Sequence, residues 1–322
     1  MEFSTGAGRV SADSISATEN LRAPRLGIRW ITRLLVHSSR LAQRRLLAGA
    51  DNPRVAPHVL AVSNQKGGVG KTTTTINVGS ALAAMGRRVL VVDIDPQANA
   101  TSGLGVDRAA IEFSSYDVVV TGRALSEARM ATVVPGLALV PADLSLAGAE
   151  IEMIDLPRRE RRLAYALEAV DDVDYVLIDC PPSLGLLTVN AATAAQALLV
   201  PIQCEFYALE GLGLLTHTLA LLKRELNPQL CIAGIVMTLF DGRLALAHQV
   251  VDEVRARFGE ILLTPVIPRN VRLSEAPSHG LPVNLYDPSC RGSIAYAELA
   301  ANLDQRLNAQ EIPAVAAAWA TG

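Results

Sequence analysis

Residues 65–73, Gln65-Lys66-Gly67-Gly68-Val69-Gly70-Lys71-Thr72-Thr73, combine three glycines, two lysines and two threonines in nine positions. Such a segment can curl its backbone so that several N–H groups converge on phosphate oxygens. Lys71 has the spacing to reach the β- and γ-phosphates of a nucleotide, and Thr72 can offer its hydroxyl to Mg²⁺. The usual phosphate loop has a glycine where this chain has Gln65, and it lacks a lysine at the place of Lys66. A lysine that early in the loop can serve a second subunit's phosphates across a face-to-face dimer.

Two carboxylate-bearing segments are candidates to complete such a site. Val91-Val92-Asp93-Ile94-Asp95-Pro96-Gln97 ends an apolar run with paired acids. Val176-Leu177-Ile178-Asp179-Cys180-Pro181-Pro182 ends another with a single aspartate. A carboxylate just beyond a buried strand suits a Mg²⁺ contact at a nucleotide site, and a second can orient the attacking water. Taken alone, Asp179 reads equally as a turn or helix-cap aspartate. Asp93 reads as support for its loop rather than as a catalyst.

The elements that must hold these residues are legible as short apolar runs alternating with helical spacing. Strands are expected at Val59–Ser63, Val89–Asp93, Leu137–Val140, Tyr175–Asp179, Ala197–Ile202, Ile232–Met237 and Leu262–Val266. Helices are expected at Thr72–Met85, Glu205–Glu225 and Ala245–Phe258, and Val271–Ser278 as a loop or short helix. Continuous Val/Leu/Ile runs suit strands buried on both faces of a parallel sheet. The fold expected is therefore α/β: a doubly wound, mostly parallel sheet flanked by helices, with ligands bound beyond the carboxyl ends of the strands.

Composition narrows the function classes. The chain has 322 residues, half of them hydrophobic, and a net charge of −3. Residues 1–57 hold nine arginines against four acids, a net +5, which leaves −8 on the remainder. So acidic a body would not hold nucleic acid by bulk charge, and DNA contact would need a local basic patch. No apolar stretch reaches the roughly 20 residues of a membrane span, and the apolar run Trp30–Val36 is too short for a secretory signal. The four cysteines, Cys180, Cys204, Cys231 and Cys290, form no CxxC pair, so reduced thiols are expected rather than a metal or iron–sulfur centre.

The organisation expected is a basic N-terminal extension over 1–57, an ATPase domain over 58–310 and a flexible tail over 311–322. Residues 1–20 read as disordered. Ile28 to Leu47 reads as a tail with transient amphipathic helix, with a binding arm or an organellar transit peptide as alternatives.

Four segments together resemble the ParA/Soj partitioning ATPases of the deviant Walker A class, which includes MinD. They are KGGVGKTTT from Lys66, VDIDPQANATSGLG from Val92, VLIDCPPSLG from Val176 and IPRNVRLSEAPSHGLPV from Ile267. The resemblance spans about Val59 to Leu307, with the motifs in the family's order. It implies ATP and Mg²⁺ as ligands. Lys66 would act across an ATP sandwich dimer, and Gly67, Gly68, Val69, Gly70, Lys71, Thr72 and Thr73 would hold the phosphates. Asp95 would be the switch aspartate required for hydrolysis, and Asp179 the Walker B aspartate. Thr72, Asp95 and Asp179 are thereby the expected metal-site residues. Pro268 and Asn270 are expected near the adenine.

The resemblance further implies non-specific binding of double-stranded DNA by the ATP-bound homodimer, through Arg243 and Arg272, with Arg269 and Arg291 as weaker candidates. A ParB-type centromere-binding partner would stimulate a slow intrinsic hydrolysis and release the dimer. The location expected is cytoplasmic and nucleoid-associated. The alternative is a MinD-like, membrane-positioned ATPase. The Ala-rich tail from Ile312 to Gly322 lacks the basic residues that an amphipathic membrane helix needs.

Overall fold

The computed structural model describes residues 56–206 and 208–309; the reading of Ile28–Leu47 and of the two chain ends falls outside them. The strands are β1 (His58–Val62), β2 (Val89–Asp93), β3 (Met130–Ala131), β4 (Leu137–Val140), β5 (Tyr175–Asp179), β6 (Ala197–Gln203) and β7 (Cys231–Thr238). The helices are α1 (Lys71–Ala84), α2 (Asn99–Gly103), α3 (Leu146–Glu152), α4 (Arg162–Leu167), α5 (Leu186–Ala194), α6 (Ala208–Glu225), α7 (Ala245–Phe258), α8 (Val271–Glu275), α9 (Val283–Tyr286) and α10 (Arg291–Asn308). None of the described helices is long and apolar enough to cross a membrane.

The strands form one sheet in the order β3-β4-β2-β5-β1-β6-β7. All pairings are parallel except that of β3 with β4. Alternation along each strand feeds two cores. Leu60 and Val62 of β1, Val89 and Val91 of β2, and Tyr175 and Leu177 of β5 pack on one face with Ile76 and Leu82 of α1 and Leu299 and Leu303 of α10. Val59 and Ala61, Leu90 and Val92, and Val176 and Ile178 pack on the other face, with Leu187 of α5 and Val250 of α7. The central strands are apolar along their middles because both faces are covered, and this is why the runs lack polar alternation.

The expected doubly wound α/β architecture is present, with two local differences. The run Leu262–Val266 is not a strand. Leu262 makes one isolated bridge with Ile235, and Leu263 donates to the Ile235 carbonyl at 2.9 Å. Pro265 has no N–H to continue that ladder, and the pairing resumes only where Ile267 donates to Met237 at 2.7 Å. α6 begins at Ala208 rather than at Glu205. The segment after Asn270 takes the short-helix form that the sequence allows: the Asn270 side chain caps α8 by accepting from the Arg272 N–H, and a 3₁₀ turn follows at Ala276–His279. The two-residue β3 is too short to show periodicity in the sequence.

Candidate nucleotide and metal site

The topology sets the site's position. β1 lies between β5 and β6, and β5 lies between β1 and β2. The register pairs Asp179 with Val62 on one side and with Asp93 on the other. Two carboxylates far apart in the chain therefore stand side by side at the carboxyl ends of their strands, next to the loop that leaves β1.

Backbone geometry shapes that loop into a cradle. Gly68 and Gly70 have φ of 76° and 87°, the left-handed region that side-chain-bearing residues avoid. Nothing lies within 4 Å of where a Cβ would stand on Gly67 or Gly68, so the cradle is open on that side. Thr238, at the end of β7, braces the loop by donating its hydroxyl to the Val69 carbonyl at 2.8 Å. Asn64 accepts from the Lys66 N–H at 3.0 Å and donates to the Pro201 carbonyl at 2.8 Å. α1 starts at Lys71, so its unpaired N–H groups face the cradle.

The two lysines go different ways. Lys71 is buried, and its ammonium donates to the Lys66 carbonyl at 3.0 Å. Burial lowers its pKa, opposed by the negative charges of Asp179 and Asp95. The Lys66 side chain instead leaves the loop, 41% exposed, and pairs with Glu205 at 3.0 Å.

Asp179 is wholly buried, and its carboxylate accepts from Thr72 at 2.8 Å and from Thr75 at 2.9 Å. Burial pushes it above the ordinary carboxylate range, with repulsion from Asp93 adding to the effect. Asp93 is also fully buried and raised by burial. It accepts from the N–H and hydroxyl of Thr101 at 2.8 and 2.7 Å and from the Asp95 N–H at 3.1 Å. Its carboxylate thus ties the Asp95 backbone to Thr101 of α2. Asp95 accepts from the Gln97 N–H at 2.9 Å, and the turn passes through Ala98 at φ 54°, a strained conformation for alanine.

A hydroxyl and a carboxylate poised 2.8 Å apart at an open phosphate cradle suit Mg²⁺, because oxygen ligands on one small cation relieve the charge buried at Asp179. The residues present therefore fit both ATP and Mg²⁺. A cleft of about 520 Å³ runs from Gly68, Gly70, Thr72 and Thr73 to Pro268 and Asn270. It lies beside the cradle and has room for a nucleoside. A larger cleft of about 780 Å³ opens elsewhere, and no phosphate-loop residue lines it.

The arginines expected at DNA sit far from the cradle lysines in sequence and each meets an acid. Arg243 is 86% exposed and forks onto Asp241 at 2.9 and 2.6 Å. Arg272 is 50% exposed and pairs with Glu275 at 2.7 Å and with Asp287 at 3.4 Å. Glu205, Thr75, Asn64 and Thr238 join the site without a motif of their own, and Thr101 joins it from within the segment that begins at Val92. Of the first four, only Asn64, next to the loop, carried a positional signal.

Comparison with known proteins agrees with this geometry. A family model described as an AAA domain matches residues 57–232. The sporulation initiation inhibitor protein Soj of Bacillus subtilis is 53% identical over 75% of this chain and 96% of its own. The chromosome partitioning protein ParA of Caulobacter vibrioides is 53% identical over 77% of this chain and 94% of its own. Among solved structures, a Mycobacterium smegmatis chain described as cobyrinic acid a,c-diamide synthase, with bound ATP analog and magnesium, has a TM-score of 0.69. It is 39% identical over 80% of this chain and 98% of its own. The cell division ATPase MinD of Pyrococcus furiosus has a TM-score of 0.64 and is 27% identical, over 77% of this chain and 98% of its own. The cradle, the paired carboxylates and the shared sequence place this chain in the ParA/Soj family of P-loop ATPases.

Proposed function

We propose that this protein is an ATP-driven partitioning switch that alternates between a free form and a DNA-bound dimer. The observation that carries the reading is the divergence of the two loop lysines. Lys71 turns into its own cradle, whereas Lys66 points out of it and is held only by a partly exposed Glu205. An ammonium group outside its own cradle is placed to neutralise a second subunit's triphosphate.

In this reading Gly67 to Thr73 bind the phosphates, with Pro268 and Asn270 beside the base. Thr72, Asp179 and Asp95 would hold Mg²⁺, which would supply positive charge to the phosphates. Asp95 orients the attacking water, and Asp93 fixes Asp95 by holding its backbone. Lys71 in its own subunit and Lys66 in the other balance charge on the phosphates, so hydrolysis weakens the dimer. Until a ParB-type partner completes the site, positioning is imperfect and turnover is slow.

Arg243 and Arg272 contact DNA phosphates without reading bases. Dimerisation doubles the number of such contacts, which ties DNA affinity to bound ATP. The arginine side chains of these pairs with Asp241 and with Glu275 and Asp287 stay 86% and 50% exposed, so DNA phosphates can compete with the acids for them. The expected location is the cytoplasm, on the nucleoid. The partitioning relatives at 53% identity stand nearer in sequence than the synthase at 39%, which favours this function over amide synthesis.

The test is DNA binding across a salt series with Mg-ATP, with ADP and without nucleotide. Tight, salt-sensitive binding with Mg-ATP alone is expected. Equal binding in all three states would refute the switch, and ATP-dependent binding to vesicles instead of DNA would favour a MinD-like role.

A further inference from the structure

The cleft of about 780 Å³ is lined by four arginines, Arg123, Arg129, Arg158 and Arg162, against two aspartates, Asp171 and Asp172. Its walls come from the π-helical turn at Asp117–Thr121, the segment before β3, and α4. Arg129 immediately precedes the edge strand β3, whereas Arg243 follows β7 at the opposite edge of the sheet. The cleft is thus separate from both the nucleotide cradle and the proposed DNA-contacting arginines.

The charges in the cleft do not cancel. Arg129 is satisfied by Asp172, at 2.9 and 2.7 Å to its two oxygens. Arg123 pairs with Glu127 and lies 3.5 Å over the Phe113 ring, yet its Nε is buried without a partner. The charge of Asp171 acts on Arg88. Arg158 and Arg162 have no carboxylate partner among the described residues. Arg162 donates to the carbonyls of Val119 and Val120. Arg158 donates to the Tyr165 hydroxyl at 3.2 Å, with its guanidinium 5.6 Å from that ring's centre. Two cations without a carboxylate partner among the described residues therefore line the same cleft as a tyrosine ring that is 41% exposed. The Ala166 and Val170 side of the cleft is apolar.

Guanidinium groups without a carboxylate partner keep a positive charge and further N–H donors matched to phosphate. An exposed ring beside an apolar wall offers a stacking surface for a flat, hydrophobic group. The volume falls within the range of small-molecule sites, roughly 300–1,000 Å³. We propose that this cleft is a second binding site, separate from the ATP cradle, for a phosphorylated ligand bearing a planar ring, of the nucleotide class. Arg158 and Arg162 hold its phosphates, and Tyr165 stacks on its ring.

The test uses the full chain with its cradle saturated by Mg²⁺ and the ATP analogue AMPPNP. GDP is then titrated by calorimetry, because a guanine nucleotide reports on the cleft while the adenine analogue keeps the cradle filled. One-to-one binding is expected, with affinity falling at least tenfold in Arg158→Asn and in Tyr165→Ala. Asparagine suits position 158 because the backbone there is left-handed, at φ 54°. Unchanged melting temperatures would show that the variants still fold. No GDP binding to the wild type up to about 1 mM, or binding undiminished in both variants, would overturn the proposal. So would a loss of duplex-DNA affinity in Arg158→Asn without any effect on GDP, because the cleft would then belong to a DNA surface.

Discussion

The ammonium of Lys66 lies 3.0 Å from the carboxylate of Glu205 in its own chain. Both side chains are about half exposed, at 41% and 47%, so the pair is weak and easily exchanged. Glu205 stands just ahead of α6, and the contact ties the lysine to its own chain. Glu205→Gln should free Lys66 and favour the dimer by up to about 1 kcal/mol, roughly fivefold in the ATP-dependent dimerisation constant. Analytical ultracentrifugation with Mg²⁺ and a non-hydrolysable analogue reads this directly. A weaker dimer would mean that Glu205 positions the lysine rather than restraining it.

Among the described residues the Asp95 carboxylate bonds only to the Gln97 N–H, while Asp93 holds the Asp95 backbone and Thr101. Asp95→Ala should therefore leave nucleotide binding within about twofold and stall hydrolysis by 10²-fold or more. The protein should then stay on DNA. Faster release of the variant from DNA, followed by surface plasmon resonance, would contradict the assigned role.

Asp179 is buried beside Asp93, and burial opposes its charge. Asp179→Asn keeps an oxygen that can accept from Thr72 or Thr75 and removes the buried charge. The metal-free protein should gain about 0.5–2 kcal/mol of stability, as is common where a functional site is strained. Mg²⁺-dependent hydrolysis should be lost. A melting curve without nucleotide shows the first effect and phosphate release the second; a destabilised variant would show that the charge is compensated in the fold.

Arg243 and Arg272 each carry an intramolecular acid partner. Replacing both with glutamate should abolish DNA binding and leave ATP-dependent dimerisation intact. Each single alanine variant should lower the slope of log affinity against log salt by about two, because the dimer loses one contact from each subunit. An unchanged slope would place the DNA-contacting surface elsewhere.

His58 begins β1, stacked on Tyr175 with ring centres 5.3 Å apart. Burial lowers its pKa, opposed by the charge of Asp304. The folded state therefore binds fewer protons here than the unfolded state. The stability this group contributes is present above the unfolded value of about 6.5 and is lost as pH falls through the depressed folded value. His58→Gln should reduce the drop in melting temperature between about pH 7 and pH 5. An identical drop in both proteins would assign acid sensitivity to other groups.

The sequence by itself determined the chemistry of the loop and the class of the fold. Glycines at positions 68 and 70 are required by backbone dihedrals, Lys71 and Thr72 follow at fixed spacing, and apolar runs without alternation need cover on both faces. These are local properties, set within a few residues. Tertiary structure alone decided which distant groups meet. The insertion of β5 between β1 and β2 puts Asp179 beside Asp93, and the chain's return after β7 brings Pro268 and Asn270 to the cradle. The Lys66–Glu205 pair spans 139 positions, and Arg129 reaches Asp172 across 43. Strand order and helix packing fix such contacts through the burial of whole layers. No pattern within a short window of residues records them.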